Sequence, residues 1–492
     1  MSPASNVFPN LWKATLPSTA DAAIVGGGFS GLLTAVHLAT RVPEARIVIV
    51  ERAPRRLPGP AYGGCDDEHL LNVAAGRMGA FPDAPGAFHA WLERRSPGRY
   101  SIVDFVPRVL FGEYLVELVA SHLASGTGEI QFVRDDAVDV ERDADGFTLR
   151  CASGRACRSR AFVFAPGIPM GRAPWHGLVP STAHGARTLV DDPWRAGAVD
   201  GVPSTAPVVI VGSGLTAIDV VVALRSRGHH GAITMVSRNG RLPLPHALPH
   251  QTPATLPADA CSGAPLAMLR HLRAAATTEA TEGRSWHGVI DAIRPHTSVI
   301  WRSWGHRERR AFLRHLRPIW EVHRHRAPRQ VLATLDELRA SGTLRIVRGR
   351  LRTVETMDDD HVRVGIATTR DDGREEFVAA RLFNCVGPAT SVRDGDDELL
   401  RRILASGLAT CDDEAIGLRS DDVGRLRSTS GDHDDRAFVL GALRRGELWE
   451  STAVPELRTQ AAAAADAIAT VLRAETPLVT VHRAHRQPAS NI

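Results

Sequence analysis

Residues 22–35 read AAIVGGGFSGLLTA, and the fold is decided in this stretch. Ala22 to Val25 are an apolar run of strand length. Gly26, Gly28 and Gly31 follow in G-x-G-x-x-G spacing, and Leu32, Leu33, Val36 and Leu38 then fall on one side of a helix. The run ARIVIVE supplies a second buried strand ending at Glu51. Together they make a β-α-β unit of about thirty residues, the context in which such glycines bind a dinucleotide. The first glycine permits a tight turn, the second lets a pyrophosphate approach the backbone, and the third lets the helix pack closely. Phe29 and Ser30 lie between the last two glycines, at a helix N-terminus that stabilises phosphate charge. Glu51 stands where a carboxylate binds a ribose diol, with Arg52 directly after it.

The pattern recurs. Val208 to Val211 precede Gly212, Gly214 and Ala217, a G-x-G-x-x-A turn that also contains Ser213, Leu215 and Thr216. The next strand, in AITMVSRNG, carries Ser237 at the position matching Glu51, with Arg238 after it. A carboxylate there would repel a 2′-phosphate, whereas a hydroxyl and a guanidinium would bind one. The second cradle therefore selects NADPH over NADH, unless Ser237 and Arg238 are an ordinary polar strand end. After each cradle comes a ribbon of alternating strands that closes on an apolar strand and a glycine, Gly167 in the first half and Gly387 in the second. The interval is longer in the second half, which fits an insertion. The chain reads as α/β with two Rossmann-like domains. The first is split over residues 1–205 and 350–492. The second spans 206–349 and carries a helical insertion at about 255–340.

Composition narrows the function. The chain has 492 residues, 43% apolar content, 23% charged residues and a net charge of +4. Such a length allows more than one domain, and so even a charge lacks the basic footprint of a nucleic-acid protein. Lys13 is the sole lysine and falls in a polar leader, which excludes Schiff-base chemistry on a core lysine. Cys65, Cys151, Cys157, Cys261, Cys385 and Cys411 form no C-x-x-C pair and do not read as a disulfide framework. The leader has no apolar core of signal-peptide type, and no run approaches a membrane span. A soluble, cytoplasmic protein acting on a small molecule is expected, with no metal.

Two cradles with different ribose selectors resemble those of flavoproteins with two dinucleotide-binding domains. In these, FAD occupies the first cradle and a nicotinamide cofactor visits the second. More narrowly, the chain resembles a bacterial family of FAD/NAD(P)-binding proteins that is similar to flavin N-hydroxylating monooxygenases. The resemblance rests on PGPAYG (58–63), HLLNVAAGRMGAFPD (69–83), PRVLFGEYL (107–115), SRNGRLPLPH (237–246) and GELWESTAVPELRTQA (446–461). It implies that LNVAAGRM is a loop beside the flavin. FVFAPGIP (162–169) resembles the ATG-type motif of the N-hydroxylases, with Pro166 in place of the usual Thr. The Gly-Asp pair that ends the general FAD pattern is here Gly441-Ala442, so contacts other than an acid are implied at Gly441. Thr452, Ala453 and Val454 precede Pro455, which suits a first helical turn; that N-terminus would face the flavin ring and stabilise its reduced anion.

Three reaction classes use this architecture. Disulfide reductases need a cysteine pair beside the flavin, which the six separated cysteines do not supply. Monooxygenases reduce FAD with NADPH and trap oxygen as a flavin peroxide in a dry pocket. The F-x-G-x-x-x-H-x-x-x-W fingerprint of Baeyer–Villiger enzymes is missing, and the resemblance implies hydroxylation of an amine nitrogen. A reductase or dehydrogenase without oxygen insertion stays open, as does a redox sensor that holds FAD without turnover. Asn72 reads either as the catalytic amide that hydrogen-bonds the oxygen adduct or as a turn residue. Arg77 reads as a pyrophosphate ligand, an anion site or a solvated cation. His246 and His250 line the NADPH cleft rather than a metal, since prolines prevent a regular helix around them. In the insertion, Trp301, Trp304, Phe312, Leu316 and Ile319 form a buried stripe. Its arginines, among them Arg307, Arg314, Arg324 and Arg326, form a solvated face or an electropositive wall.

Overall fold

The computed structural model describes residues 12–474 except 53–56, 64, 168–170, 184, 196, 248–251, 369–372 and 390. His250 and the end of FVFAPGIP lie outside the described residues. The first sheet contains β1 (Trp12–Lys13), β2 (Thr19–Val25), β3 (Arg46–Glu51), β4 (Glu129–Arg134), β5 (Ala137–Arg142), β6 (Phe147–Cys151) and β7 (Ala156–Phe164). The second contains β8 (Leu189–Val190), β9 (Val208–Val211), β10 (Ile233–Ser237), β11 (Leu344–Thr356), β12 (Val362–Thr368), β13 (Arg374–Ala379) and β14 (Arg381–Asn384). The chain then returns to the first sheet with β15 (Arg425–Arg427) and β16 (His433–Val439).

The first sheet runs β1-β4-β3-β2-β7-β16-β15, with the β5–β6 ribbon attached to β7. Strands β2, β3, β4, β7 and β16 are parallel, with Ile24 opposite Ile49 on one side and Val163 on the other. A parallel strand buried on both faces needs an unbroken apolar run, and AAIV and IVIV provide it. The cradle helix Phe29–Arg41 and the C-terminal helix Val454–Ala474 pack side by side on this sheet. Leu32, Ala35, Val36 and Leu38 share one core with Ala464, Ala465 and Ile468. Alanines on the C-terminal helix let the two backbones approach closely, and Arg41 pairs with Asp466 at the rim. Lys13 is part of β1 and pairs with Val133, so the strand begins inside what the sequence suggests is a polar leader. Apolar Trp12 beside it packs edge-on against Phe132.

The second sheet runs β13-β12-β11-β10-β9-β14-β8. Its parallel core places Met235 opposite Ile210, and Phe383 opposite the same Ile210. The expected return to the first domain at residue 350 comes too early: β11 to β14 all hydrogen-bond within the second sheet. The reason is the repeat itself. The ribbon β12–β13 and the closing strand β14 are to the second cradle what β5–β6 and β7 are to the first. The chain crosses between domains after Gly167 and again after Gly387, and the two crossings touch: a Cβ on Gly171 would lie 3.4 Å from Ala389 Cα.

Helices fill residues 265–340. Trp301, Trp304 and Phe312 are buried with Met268 and Ile300, so the expected apolar stripe is the core of this insertion. Two arginines depart from a solvated face. Arg324 and Arg326 are buried, because Arg324 pairs with Glu450 and Arg326 with Asp291.

Candidate functional site

Each cradle is assembled in the same way. Gly26 has φ +104°, and a Cβ there would overlap the Ala165 carbonyl oxygen. Gly212 has φ +127°, and its Cβ would overlap the Cys385 carbonyl. Both must be glycine, since the backbone conformation and the closing strand forbid a side chain. A Cβ on Gly31 would strike the Gly26 carbonyl, so helix and turn are in contact. Gly28 and Gly214 differ from these. A Cβ on Gly28 would find only Gly59 Cα, at 3.9 Å, and one on Gly214 nothing within 4 Å. The space beside these two glycines is open, as a cradle for pyrophosphate requires. Both are N-cap residues of their helices, with no side-chain cap and no acid in the first turn. The first-turn amides and the helix dipole are therefore directed at that space.

Around the first cradle, Gly441 has φ +77°, and its Cβ would lie 3.3 Å from Ser30 Oγ. Its N–H donates to Gln460 Oε1 (3.3 Å), and Gln460 Nε2 donates to the Ser451 carbonyl (3.2 Å). One glutamine thus binds the Gly441 turn to the loop that carries Thr452, Ala453 and Val454. The Ala453 carbonyl accepts the Leu457 N–H at 2.9 Å, which starts the C-terminal helix beside the cradle. Phe29, Leu71, Ala75 and Val454 share a core, so the 69–83 stretch borders the same space. Asn72 is half-buried there, and its side-chain amide has no hydrogen bond among the described residues. Its carbonyl accepts from His246 Nε2 at 3.1 Å, and the His246 ring lies 4.4 Å from that of Phe105. His246 therefore clasps the first domain, and no metal-binding group of His, Cys, Asp or Glu occurs among the described residues. Arg77 is exposed; its N–H donates to the Ala74 carbonyl, and its own carbonyl accepts from Arg458.

The ribose selectors are held less simply than the sequence suggests. Glu51 Oε2 accepts the Gly27 N–H at 2.8 Å, which fixes its carboxylate at the turn. Arg52 is directed elsewhere: it pairs with Asp397 at 2.8 Å and lies 4.0 Å from Asp136. Two carboxylates thus hold it in this structure, and its place in the cofactor-binding set rests on the sequence. Ser237 is engaged within its own loop. Ser213 Oγ lies 2.6 Å from the Arg241 carbonyl and 2.8 Å from Ser237 Oγ, and Ser237 Oγ accepts the Gly240 N–H at 3.0 Å. A carbonyl can only accept, so Ser213 donates to it and Ser237 donates to Ser213. In this arrangement the Ser237 proton is directed at Ser213. Arg238 is exposed and has no partner among the described residues. Gly167 and Gly387, at φ +90° and +84° with open space around them, stand at the two domain crossings.

The interface between the domains holds residues that the motifs do not reveal. Arg108 binds Asp219 through two hydrogen bonds of 2.9 and 3.2 Å, and both are buried. Arg108 Nε also donates to the Leu70 carbonyl, and His69 Nε2 to the Asp219 carbonyl. Arg227 of the second domain pairs with Asp66 at 2.7 Å. Cys65 lies beside this group, and burial pushes its thiol up to about 11. All six cysteines are free.

The insertion roofs the loop before the C-terminal helix. Trp301 Nε1 donates to the Gly446 carbonyl (2.7 Å), Trp320 Nε1 to Glu450 (2.7 Å), and Arg294 binds Glu456 (2.7 Å). Burial disfavours the charge on Glu450, yet His325, Arg324 and the Trp320 N–H hold its carboxyl down at about 2. No described helix is long and apolar enough to cross a membrane.

Residues 23–169 match the family described as FAD-NAD(P)-binding. Comparison with curated proteins gives no match. Among solved structures, an ornithine N-hydroxylase from Kutzneria sp. 744 is similar with a TM-score of 0.62 at 16% identity, covering 92% of this chain and 99% of that one. L-lysine 6-monooxygenase from Pseudomonas syringae gives 0.60 at 17% identity over 92% and 99%. Thioredoxin reductase from Lactococcus lactis gives 0.51 at 12% identity over 93% and 100%. The chain thus has the two-domain Rossmann-type fold of FAD/NAD(P) oxidoreductases, with an FAD-NAD(P)-binding domain at residues 23–169.

Proposed function

We propose that this protein is an FAD-dependent monooxygenase that draws electrons from NADPH and hydroxylates a small substrate at an amine nitrogen. The reading rests on one observation above all: two cradles of the same geometry, each with an open glycine and an uncapped helix N-terminus, in one molecule. FAD in the first would supply the redox chemistry, held by the turn at Gly26–Gly31, by Glu51 at the ribose and by Gly441 beside Ser30. NADPH in the second would lie on Gly212–Thr216 with Arg238 at its 2′-phosphate. Asn72, with a half-buried and unengaged amide, would orient the reacting face, and the N-terminus of the C-terminal helix would favour negative charge on the bound ring. The separated cysteines, with a Cys65 thiol that burial keeps protonated, argue against a disulfide reductase.

The test is product stoichiometry. Anaerobic NADPH should bleach the bound FAD, and air with a panel of amines should then give one hydroxylated product per NADPH consumed. Hydrogen peroxide released in full stoichiometry with every amine would favour a reductase or dehydrogenase. Bound FAD that NADPH fails to bleach would favour a redox sensor.

A further inference from the structure

The helical insertion lines a half-open cavity of about 260 Å³ that the cofactor cradles do not use. Its wall is apolar, formed by Met268, Leu272, Ile290, Trp301, Trp320 and Trp449 among others. One residue sets it apart from a packing defect. Trp449 lines it, stacked on Trp301 at 4.9 Å between ring centres, and its indole N–H is buried with no hydrogen-bond partner. A buried donor without a partner is destabilising, because the loss of its water is not repaid. Water is a poor remedy, since it needs two to four polar partners and the wall offers almost none.

The position is equally informative. Trp449 leads directly into Thr452–Val454 beside the first cradle. Ile293, another wall residue, precedes Arg294, which binds Glu456 in the first turn of the same C-terminal helix. On the other side Arg273, Ile319 and His323 are shared with a cleft that includes Arg241 and Leu242 of the second cradle's loop. The cavity lies between the segments that serve the two cradles.

We infer that this cavity binds the apolar body of the substrate, a molecule of about ten non-hydrogen atoms with one hydrogen-bond acceptor for the Trp449 N–H. The size follows from scaling, because a dry cavity of about 150 Å³ holds one benzene. That the occupant is a substrate rests on the oxidoreductase reading above; the binding itself does not. The polar side chains of lysine or ornithine find no partner on such a wall, and burying them unpaired is costly.

The probes are naphthalene, quinoline and isoquinoline, three molecules of one shape of which the last two carry a single acceptor nitrogen. L-lysine is the comparison. Binding is measured by calorimetry on the FAD-loaded full chain. All three should bind at least tenfold more tightly than lysine, with quinoline or isoquinoline ahead of naphthalene. Ala276→Trp, which fills the cavity from its wall, should weaken all three at least tenfold. Trp449→Phe keeps the shape and should erase the advantage of the nitrogen heterocycle while leaving naphthalene unchanged, which guards against a misfolded Ala276 variant. Lysine binding as tightly as the aromatic probes, or probe affinities indifferent to both substitutions, would overturn the inference. Aromatic binding as described, with no NADPH consumption stimulated by any apolar amine of that shape, would instead refute the monooxygenase reading and leave the cavity assignment standing.

Discussion

Gly28 and Arg238 have the clearest consequences at the scale of single residues. Gly28 has φ −74°, and a Cβ there meets nothing closer than 3.9 Å. Gly28→Val should therefore fold normally and yet purify colourless, because its branches fill the pyrophosphate space. Folded, fully yellow protein would refute the assignment of the first cradle. For Arg238, loss of a charge-assisted contact is worth about 1.5–3 kcal/mol. Arg238→Ala should then weaken NADPH roughly ten- to a hundredfold while leaving NADH use nearly unchanged, as read from anaerobic flavin reduction rates against nucleotide concentration. Equal loss for both nucleotides would move Arg238 to a structural role. At this scale the sequence is most legible where a residue type is forced: Gly26 and Gly212 are required by positive φ and by a carbonyl in van der Waals contact. It is least legible where a side chain chooses among distant partners. Arg52 finds Asp397, and Ser237 turns into its own loop, and neither choice is written in local spacing.

Among the elements, the junction of the insertion with the loop before the C-terminal helix governs acid stability. Glu450 has φ +71°, an uncommon conformation for a residue with a side chain, and it is held by Arg324, His325 and Trp320. Its carboxyl pKa is about 2 in the folded protein, against about 4.3 for a free glutamate. A depressed carboxyl stabilises the fold fully above the unfolded value and loses that contribution as pH falls through the folded one. Wild type should thus lose stability between pH 4.5 and 2 (an interval of about that width), and Glu450→Gln should flatten that part of the profile while lowering stability at neutral pH. Tryptophan fluorescence follows both, since Trp320 and Trp449 report on the contact. The parallel strands and both cradle helices are evident in the sequence, because buried strands leave unbroken apolar runs. The cavity is not. The same tryptophans that read as a core stripe leave a void between them, and packing geometry alone decides which of the two they build.

For the molecule as a whole, the buried Arg108–Asp219 pair joins the domains. Removing one partner of such a pair typically costs about 3–5 kcal/mol because the other charge is stranded. Arg108→Ala should therefore be far more damaging than Arg108→Ala combined with Asp219→Ala, a difference that denaturant midpoints of the singles and the double would measure. A double variant whose loss equals the sum of the two single losses would mean that the two residues act separately. The repeat made the domain architecture legible, and it even corrected the boundary: strands after residue 350 belong to the second sheet because they complete its copy of the pattern. The interface pair was hidden by distance, since 111 positions separate its members and no periodicity links them.

The two chain crossings, side by side at Gly171 and Ala389, act as a pair of pins in one hinge. A single strand between two bodies permits twisting as well as bending, whereas two adjacent strands oppose torsion and leave mainly a rocking motion about the line that joins them. The clasps at Arg108–Asp219, Arg227–Asp66 and His246–Asn72 add further contacts that oppose that motion. The cradles are thus kept in a nearly constant mutual orientation, which would suit the proposed transfer of electrons by proximity between nucleotides docked in the two. Rotation of one domain against the other would require breaking the buried Arg108–Asp219 pair together with the two more exposed clasps.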